Sequence, residues 1–340
     1  MANIMVNETC DLRCPYCFAG EFVNKSPKEM TLDDFQTALD FVLSSEGERQ
    51  VGIIGGEPLL YTHINDAVSI ALGDTRTDIV MLYTNAVALE RLAPEILEHK
   101  KFRMLVNCNA PEDMGAKAFE KMLQSLVRFN DEHSGEGRFR LSVNLYKPDF
   151  DYSYIFPILD EIDFDVIRLS ISVPPNGELN GKAPLAYFHE MKPVAIRFIG
   201  DMIRRGVITG FDCNFFPDCV FTADERDGLK GAKDVLSSAV SHRYSRPFWE
   251  RVIFCEMNNC SPVVDILPDL RAIRCFGLSE HTKQDIRDFR NIEALRKHYL
   301  YTVDQPACSI STSAECEDCY HRESAKCSGG CLLFKAEQLQ

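Results

Sequence analysis

Cys10, Cys14 and Cys17 stand in the run Cys-Asp-Leu-Arg-Cys-Pro-Tyr-Cys, directly after the short apolar stretch Ile4 to Val6. A loop of that length at the end of a strand presents all three thiolates to one point. Three protein ligands are one short of a closed four-thiolate site. A cubane iron–sulfur cluster held here would keep one iron open to a small molecule, by the logic that separates open catalytic zinc sites from closed structural ones. The plainer alternatives are a zinc knuckle, for which no fourth ligand lies nearby, and buried thiols. A second group closes the chain: Cys316-Glu-Asp-Cys319, seven residues, then Cys327-Ser-Gly-Gly-Cys331, preceded by Cys255, Cys260, Cys275 and Cys308. The last four thiols alone would make an acceptable zinc site, which leaves the upstream cysteines needing a separate explanation. The isolated Cys108, Cys213 and Cys219 read as small buried apolar side chains.

Positioning these groups falls to a regular alternation of apolar runs and helical stretches. Ile4 to Val6, Val51 to Ile54, Ile79 to Tyr83, Phe102 to Val106, Phe139 to Leu145 and Val166 to Val173 read as strands. Between and after them, Thr31 to Ser45, Thr62 to Gly73, Leu89 to Lys100, Met114 to Glu132, Tyr152 to Ile162 and Tyr187 to Arg205 carry apolar residues at helical spacing. Thr31, three residues ahead of Asp34, is an N-cap signal. Such an order implies parallel strands with right-handed crossovers. The expectation is α/β: a partial (β/α)6 TIM-like barrel over residues 1–210 with its site at the strands' C-terminal ends, a bridge over 211–254, and a small cysteine-rich α+β domain over 255–340.

The chain has 340 residues, 37 Lys and Arg against 51 Asp and Glu, and a net charge of −14, so a broad cationic surface for nucleic acid is not expected. No run approaches the roughly 18 apolar residues of a membrane span, and no signal peptide is apparent. A cytoplasmic protein follows as the expectation. In a reducing compartment, those of its 14 cysteines that stand at short, fixed spacings serve metal or chemistry rather than disulfides.

With Tyr16 between its last two thiols, the N-terminal triplet resembles the signature of radical S-adenosylmethionine (radical SAM) enzymes. Gly55-Gly56-Glu57-Pro58, directly after the second strand, agrees: glycines let backbone approach a ligand's amino group while the carboxylate pairs with it, although the run can also be a simple turn. Thr84-Asn85 and Asn107-Cys108-Asn109-Ala110-Pro111 end strands three and four much as in relatives. The resemblance implies a [4Fe-4S] cluster on Cys10, Cys14 and Cys17. It implies S-adenosylmethionine bound by Tyr16, Gly55, Gly56, Glu57 and Asn107, with Ser142 and Asn144 on later strands as further contacts and Arg168 and Ser170 as weaker candidates. An electron from the reduced cluster would then cleave S-adenosylmethionine to a 5′-deoxyadenosyl radical that abstracts a substrate hydrogen.

The C-terminal cysteines resemble the SPASM extension of that family, which holds two auxiliary iron–sulfur clusters. The resemblance implies Cys255, Cys260, Cys275 and Cys331 for the first, and Cys316, Cys319 and Cys327 for the second, with Cys308 a candidate fourth ligand. The central gap is seven rather than the usual five, and no Cys follows Cys331. Phe276 stands beside the turn Cys where sulfatase maturases place Asp. Relatives with this extension most often oxidise or crosslink ribosomally made peptides. The expected partners are therefore a peptide, a separate leader-recognition protein, and a low-potential flavodoxin or ferredoxin. A dehydrogenase or epimerase of a small molecule is the alternative, and a non-catalytic metal-binding module the third reading.

Overall fold

The computed structural model describes residues 2–133, 137–162, 164, 166–173, 179, 182–211, 216–228, 263–324, 327 and 330–339. Cys213, Cys255 and Cys260 lie outside them. Among the described residues ten strands run β1 (Ala2–Met5), β2 (Gln50–Ile54), β3 (Ile79–Thr84), β4 (Phe102–Asn107), β5 (Phe139–Leu145), β6 (Val166–Ile171), β7 (Ile208–Phe211), β8 (Asp265–Ile266), β9 (Arg271–Ile273) and β10 (Gln284–Asp285). The first six coincide with the expected strands to within a residue or two. β7 was not expected, because Ile208–Phe211 is short and straddles the presumed end of the barrel.

The chain forms two compact units. The first comprises Met1–Phe139, Ser261–Pro306 and Leu339–Gln340. In it the strand order is β10-β9-β8-β1-β2-β3-β4, with β1 to β4 parallel and β8 parallel to β1. Helices α1 (Leu32–Val42), α2 (Ile64–Gly73), α3 (Pro94–Glu98), α4 (Pro111–Met114) and α5 (Ala116–His133) follow these strands. Each buries one stripe: in α1 it is Phe35, Ala38, Leu39 and Val42, and in α5 Met122, Leu126 and Phe129. Thr31 caps α1 as its spacing predicts, its Oγ1 accepting from the Asp34 N–H at 3.1 Å. The helix expected over residues 89–100 is broken into a 3-10 turn, Leu89–Arg91, and α3. Pro94 lacks an N–H and so begins a new helix instead of continuing the turn.

The second unit comprises Arg140–Cys260 and Ala307–Gln338. Its strands β5, β6 and β7 are parallel neighbours, with α6 (Ile155–Glu161) and α7 (Pro184–Arg204) between them. α7 buries Tyr187, Phe188, Met191, Val194, Ala195, Phe198, Ile199 and Met202, the continuous face of a helix laid on a sheet.

Residues 263–306, which read in sequence as part of a separate C-terminal domain, join the first unit. β8 pairs with β1 through Asn3↔Asp265 and Ile4↔Ile266. The hairpin it forms with β9 buries Val264, Ile266, Ala272 and Ile273. Short strands with apolar faces cannot stand alone, and the edge of β1 supplies both ladder and cover. Among the described residues no helix is long and apolar enough to cross a membrane.

Candidate active site

The loop after β1 is stitched to its neighbours before any cysteine is reached. Val6 donates to Ile54 O, Gly56 to Asn7 O at 2.8 Å, and Glu57 to Thr9 O at 2.7 Å, extending the β1–β2 ladder past the strand ends. This closeness is what the glycines allow. A Cβ on Gly56 would lie 2.4 Å from Thr9 O, and one on Gly55 2.1 Å from Asn7 Oδ1. Asn7 donates its amide to Glu57 O at 3.0 Å, while its Oδ1 is buried against Gly55 with no donor among the described residues.

Cys10 is fixed by Asn24, whose Oδ1 accepts from the Cys10 N–H at 3.1 Å and whose amide donates to Cys10 O at 2.9 Å. Asn24 holds φ +60, a backbone region that asparagine tolerates better than most residues. The Leu12 N–H donates to Cys10 Sγ, Cys17 N–H to Cys14 O, and Gly20 N–H to Cys17 O, so the thiols sit on successive tight turns. All three cysteines are half-buried. Burial, with the nearby negative charges of Glu57, Asp11 and Cys14, pushes the Cys10 thiol up to about 12. Burial, then the charges of Cys17 and Asp113, takes Cys14 to about 11, and burial raises Cys17 as well. Three desolvated thiols that repel one another as anions suit a cationic iron centre, which would reverse that balance and displace their protons. The donor set therefore fits the iron–sulfur cluster that its spacing implies.

Glu57 is the hub beneath them. It is 2% exposed, and its carboxylate accepts from Thr84 Oγ1 at 2.6 Å, the Leu59 N–H at 3.0 Å and the Asn85 N–H at 2.7 Å. Those bonds bind the end of β2 to the end of β3. Burial still outweighs them and pushes its pKa up to about 7. A carboxylate offers about four acceptor sites, so one remains on Oε2 after three bonds. Asn85 reaches onward, its amide donating to Asp11 Oδ1 at 2.9 Å.

Asn109 forms the other wall. Its amide donates to Cys14 Sγ at 3.2 Å, and its Oδ1 accepts from the Tyr16 hydroxyl. The sequence singled out Asn107, which is still paired within β4; Asn109 lies two residues past the pairing, where the chain turns toward the cysteine loop. Sequence reasoning also missed Asn7, Asn24 and the side chain of Asn85. Their only local signal is an Asn at a strand end or turn.

Cys17 packs with Phe22 and Val23 against a cluster of Met5, Ala19, Ile54, Leu267, Ile273 and Phe276. Phe276 also meets the Phe18 ring at 4.8 Å, so the residue following Cys275 anchors the cysteine loop. In the second unit, Ser142 is buried and accepts from Arg168 at 2.7 Å across the β5–β6 register, while Asn144 faces Ser170. Cys108 is buried as expected. Cys219 departs from that expectation: it is exposed. Among the described residues, no three His, Cys, Asp or Glu side chains gather closely enough to hold a single metal ion.

Residues 4–144 match the radical SAM superfamily, and the chain carries a radical SAM domain there. GTP 3′,8-cyclase of Chlorobaculum tepidum is 34% identical over 97 residues, 28% of this chain and 28% of the cyclase. Molybdenum cofactor biosynthesis protein 1 of Mus musculus is 34% identical over 96 residues, 28% of this chain and 15% of that protein. These alignments span less than a third of the relatives' length. Two solved structures resemble the chain over nearly its whole length. Streptococcus suis SuiB bound to S-adenosylmethionine superposes with a TM-score of 0.59 at 17% identity, over 98% of this chain and 72% of SuiB. The anSMEcpe structure with bound AdoMet and the Cp18Cys peptide has a TM-score of 0.62 at 16% identity, over 97% and 88%. At such identities the likeness is one of fold.

Proposed function

We propose that this protein is a radical SAM enzyme with auxiliary clusters that oxidatively modifies or crosslinks a ribosomally made peptide. The observation that carries the reading is the convergence of Cys10, Cys14 and Cys17 on one loop that backbone hydrogen bonds join to the Gly55-Gly56-Glu57 turn. Cys10, Cys14 and Cys17 would hold the [4Fe-4S] cluster. The remaining acceptor on Glu57, the orphaned Asn7 Oδ1 and the Tyr16–Asn109 pair lie within the cradle expected to receive S-adenosylmethionine. When bound, the cluster and S-adenosylmethionine together supply a carbon radical able to abstract hydrogen. The protein's own residues bind, orient and exclude water.

The peptide substrate is supported by the fold likeness to SuiB, solved with the precursor peptide SuiA, and to anSMEcpe, solved with Cp18Cys peptide. Two auxiliary clusters would sit on the later cysteines, with Cys255, Cys260, Cys275 and Cys331 assigned to the first. The organisation we infer remains a barrel over residues 1–210, a bridge and a SPASM domain, in a cytoplasmic enzyme served by a flavodoxin or ferredoxin and a leader-recognition protein. A small-molecule substrate is the second reading, favoured by the GTP 3′,8-cyclases among the sequence relatives.

The test is anaerobic reconstitution followed by S-adenosylmethionine, dithionite and a library of short peptides. Formation of 5′-deoxyadenosine above a Cys10, Cys14, Cys17 triple-alanine control is expected, together with loss of two hydrogens from one peptide. Turnover of GTP or another small molecule, with every peptide unchanged, would transfer the assignment to the second reading. Iron-loaded protein that makes no 5′-deoxyadenosine with either substrate class would end both.

A further inference from the structure

The chain leaves β3 through a strained turn. Ala86 holds φ +56, a left-handed conformation uncommon for a residue that is not Gly, Asn or Asp. Such strain persists only where the surrounding structure enforces it. Three bonds do so here: the Ala86 N–H donates to Thr84 Oγ1 at 2.9 Å, the Val87 N–H to Asn85 Oδ1 at 3.0 Å, and the Asn85 N–H to Glu57 Oε2 at 2.7 Å. Asn85 is buried, and with its side-chain oxygen fixed its amide nitrogen is fixed as well. That nitrogen donates to Asp11 Oδ1 of the cysteine loop at 2.9 Å, joining residues 74 positions apart.

Asp11 is exposed, yet this bond keeps it beside Cys10: its Oδ1 lies 4.0 Å from Cys10 Sγ. A carboxylate and a thiolate at that distance repel each other, and a short exposed side chain without a tether would turn toward water. The tether is not needed to hold the loop. Asn24 already binds both the N–H and the C=O of Cys10, and the Gly56 and Glu57 N–H groups join Asn7 and Thr9 to the turn after β2. What the Asn85 bond adds is a negative charge placed against one thiol of the triplet. Arg13 of the same loop donates to Cys10 O at 3.1 Å and to Leu12 O at 3.0 Å, so a positive charge lies on the backbone side of the same cysteine.

We propose that Asp11, with Asn85 as its positioning residue, holds the reduction potential of the N-terminal cluster low. The inference rests on the [4Fe-4S] assignment of Cys10, Cys14 and Cys17 in the proposed function, and goes beyond it by naming the side chain that sets how strong a reductant the cluster can be. An added electron is opposed by negative charge nearby, and net charge and outer-shell contacts to the sulfurs are among the levers by which a protein tunes such a centre.

The test is a potentiometric titration of the full-length protein, reconstituted anaerobically and reduced with dithionite in the presence of mediator dyes. The N-terminal cluster is followed by the low-temperature electron paramagnetic resonance signal that the Cys10, Cys14, Cys17 triple-alanine variant lacks. Asp11→Asn keeps an oxygen for Asn85 and removes only the charge, so its midpoint should shift to higher potential with iron content unchanged. Asn85→Ala frees the carboxylate and should shift it the same way by less, whereas Arg13→Gln should shift it to lower potential. An Asp11→Asn midpoint equal to wild type, or one moving in the same direction as that of Arg13→Gln, would overturn the role of Asp11 and leave the cluster standing. Loss of iron from Asp11→Asn would make the residue a support of the loop and equally overturn the proposal. Iron-loaded wild type with no signal beyond that of the triple variant would remove the N-terminal cluster, and the proposal with it.

Discussion

At Glu57 burial and hydrogen bonding pull in opposite directions. Three donors favour the carboxylate, yet desolvation dominates and its pKa rises from 4.5 to about 7. A raised carboxyl binds a proton in the folded chain where the unfolded chain has released it. Its contribution to stability is full below about 4.5 and is lost as pH rises through about 7. Glu57→Gln should flatten this part of the pH dependence of the urea midpoint between pH 5 and 8; an unchanged slope would mean the carboxyl is not the group responsible. On the proposed assignment of Cys14 to the cluster, Asn109 would act on a ligand directly, through its bond to Cys14 Sγ. Removing such an outer-shell donor costs about 10- to 100-fold in metal affinity, so Asn109→Ala should lose its cluster to a chelator correspondingly faster, followed by visible absorbance. Equal rates in the two proteins would take Asn109 out of that role.

The strand ends of β1, β2 and β3 act as one element. The loops after β1 and β2 meet backbone to backbone most tightly at Gly56, where a Cβ would lie 2.4 Å from Thr9 O. Gly56→Ala places a methyl against a carbonyl that belongs to the cysteine loop, and backbone cannot yield as a flexible side chain can. The expected outcome is a folded protein with little iron on the N-terminal site, read by iron content and 5′-deoxyadenosine together. Full loading would show that the loop can move aside. The Gly-Gly-Glu-Pro run was legible as a loop at a strand end. That the loop it accommodates is the chain's own was not, because Asn7 and Thr9 lie some fifty residues away and come near only through the β1–β2 register.

For the molecule as a whole, iron content is the most direct prediction. Three [4Fe-4S] clusters require about 12 iron atoms per chain, falling to about 8 in the Cys10, Cys14, Cys17 triple-alanine variant. A fully loaded wild-type value of about 4 would confine iron to the N-terminal loop. The net charge of −14 argues against a broad cationic surface for nucleic acid. Charge alone says nothing of which face a substrate meets.

The sequence by itself determined what depends on neighbours a few residues apart. Alternating apolar runs specified β1 to β6 in order, Thr31 and Asp34 specified a helix start, and the Cys10, Cys14, Cys17 spacing specified three thiols on one loop. Such features follow from strand and helix periods and from the reach of a short loop. Tertiary structure alone decided the rest: the inward turn of Glu57, the bond from Asn109 to Cys14, and the pairing of β8 with β1. Each joins residues from about thirty to more than two hundred and fifty positions apart. Their meeting depends on which strand ends, helices and turns the packed core brings together, and a pattern along the chain does not encode that distance.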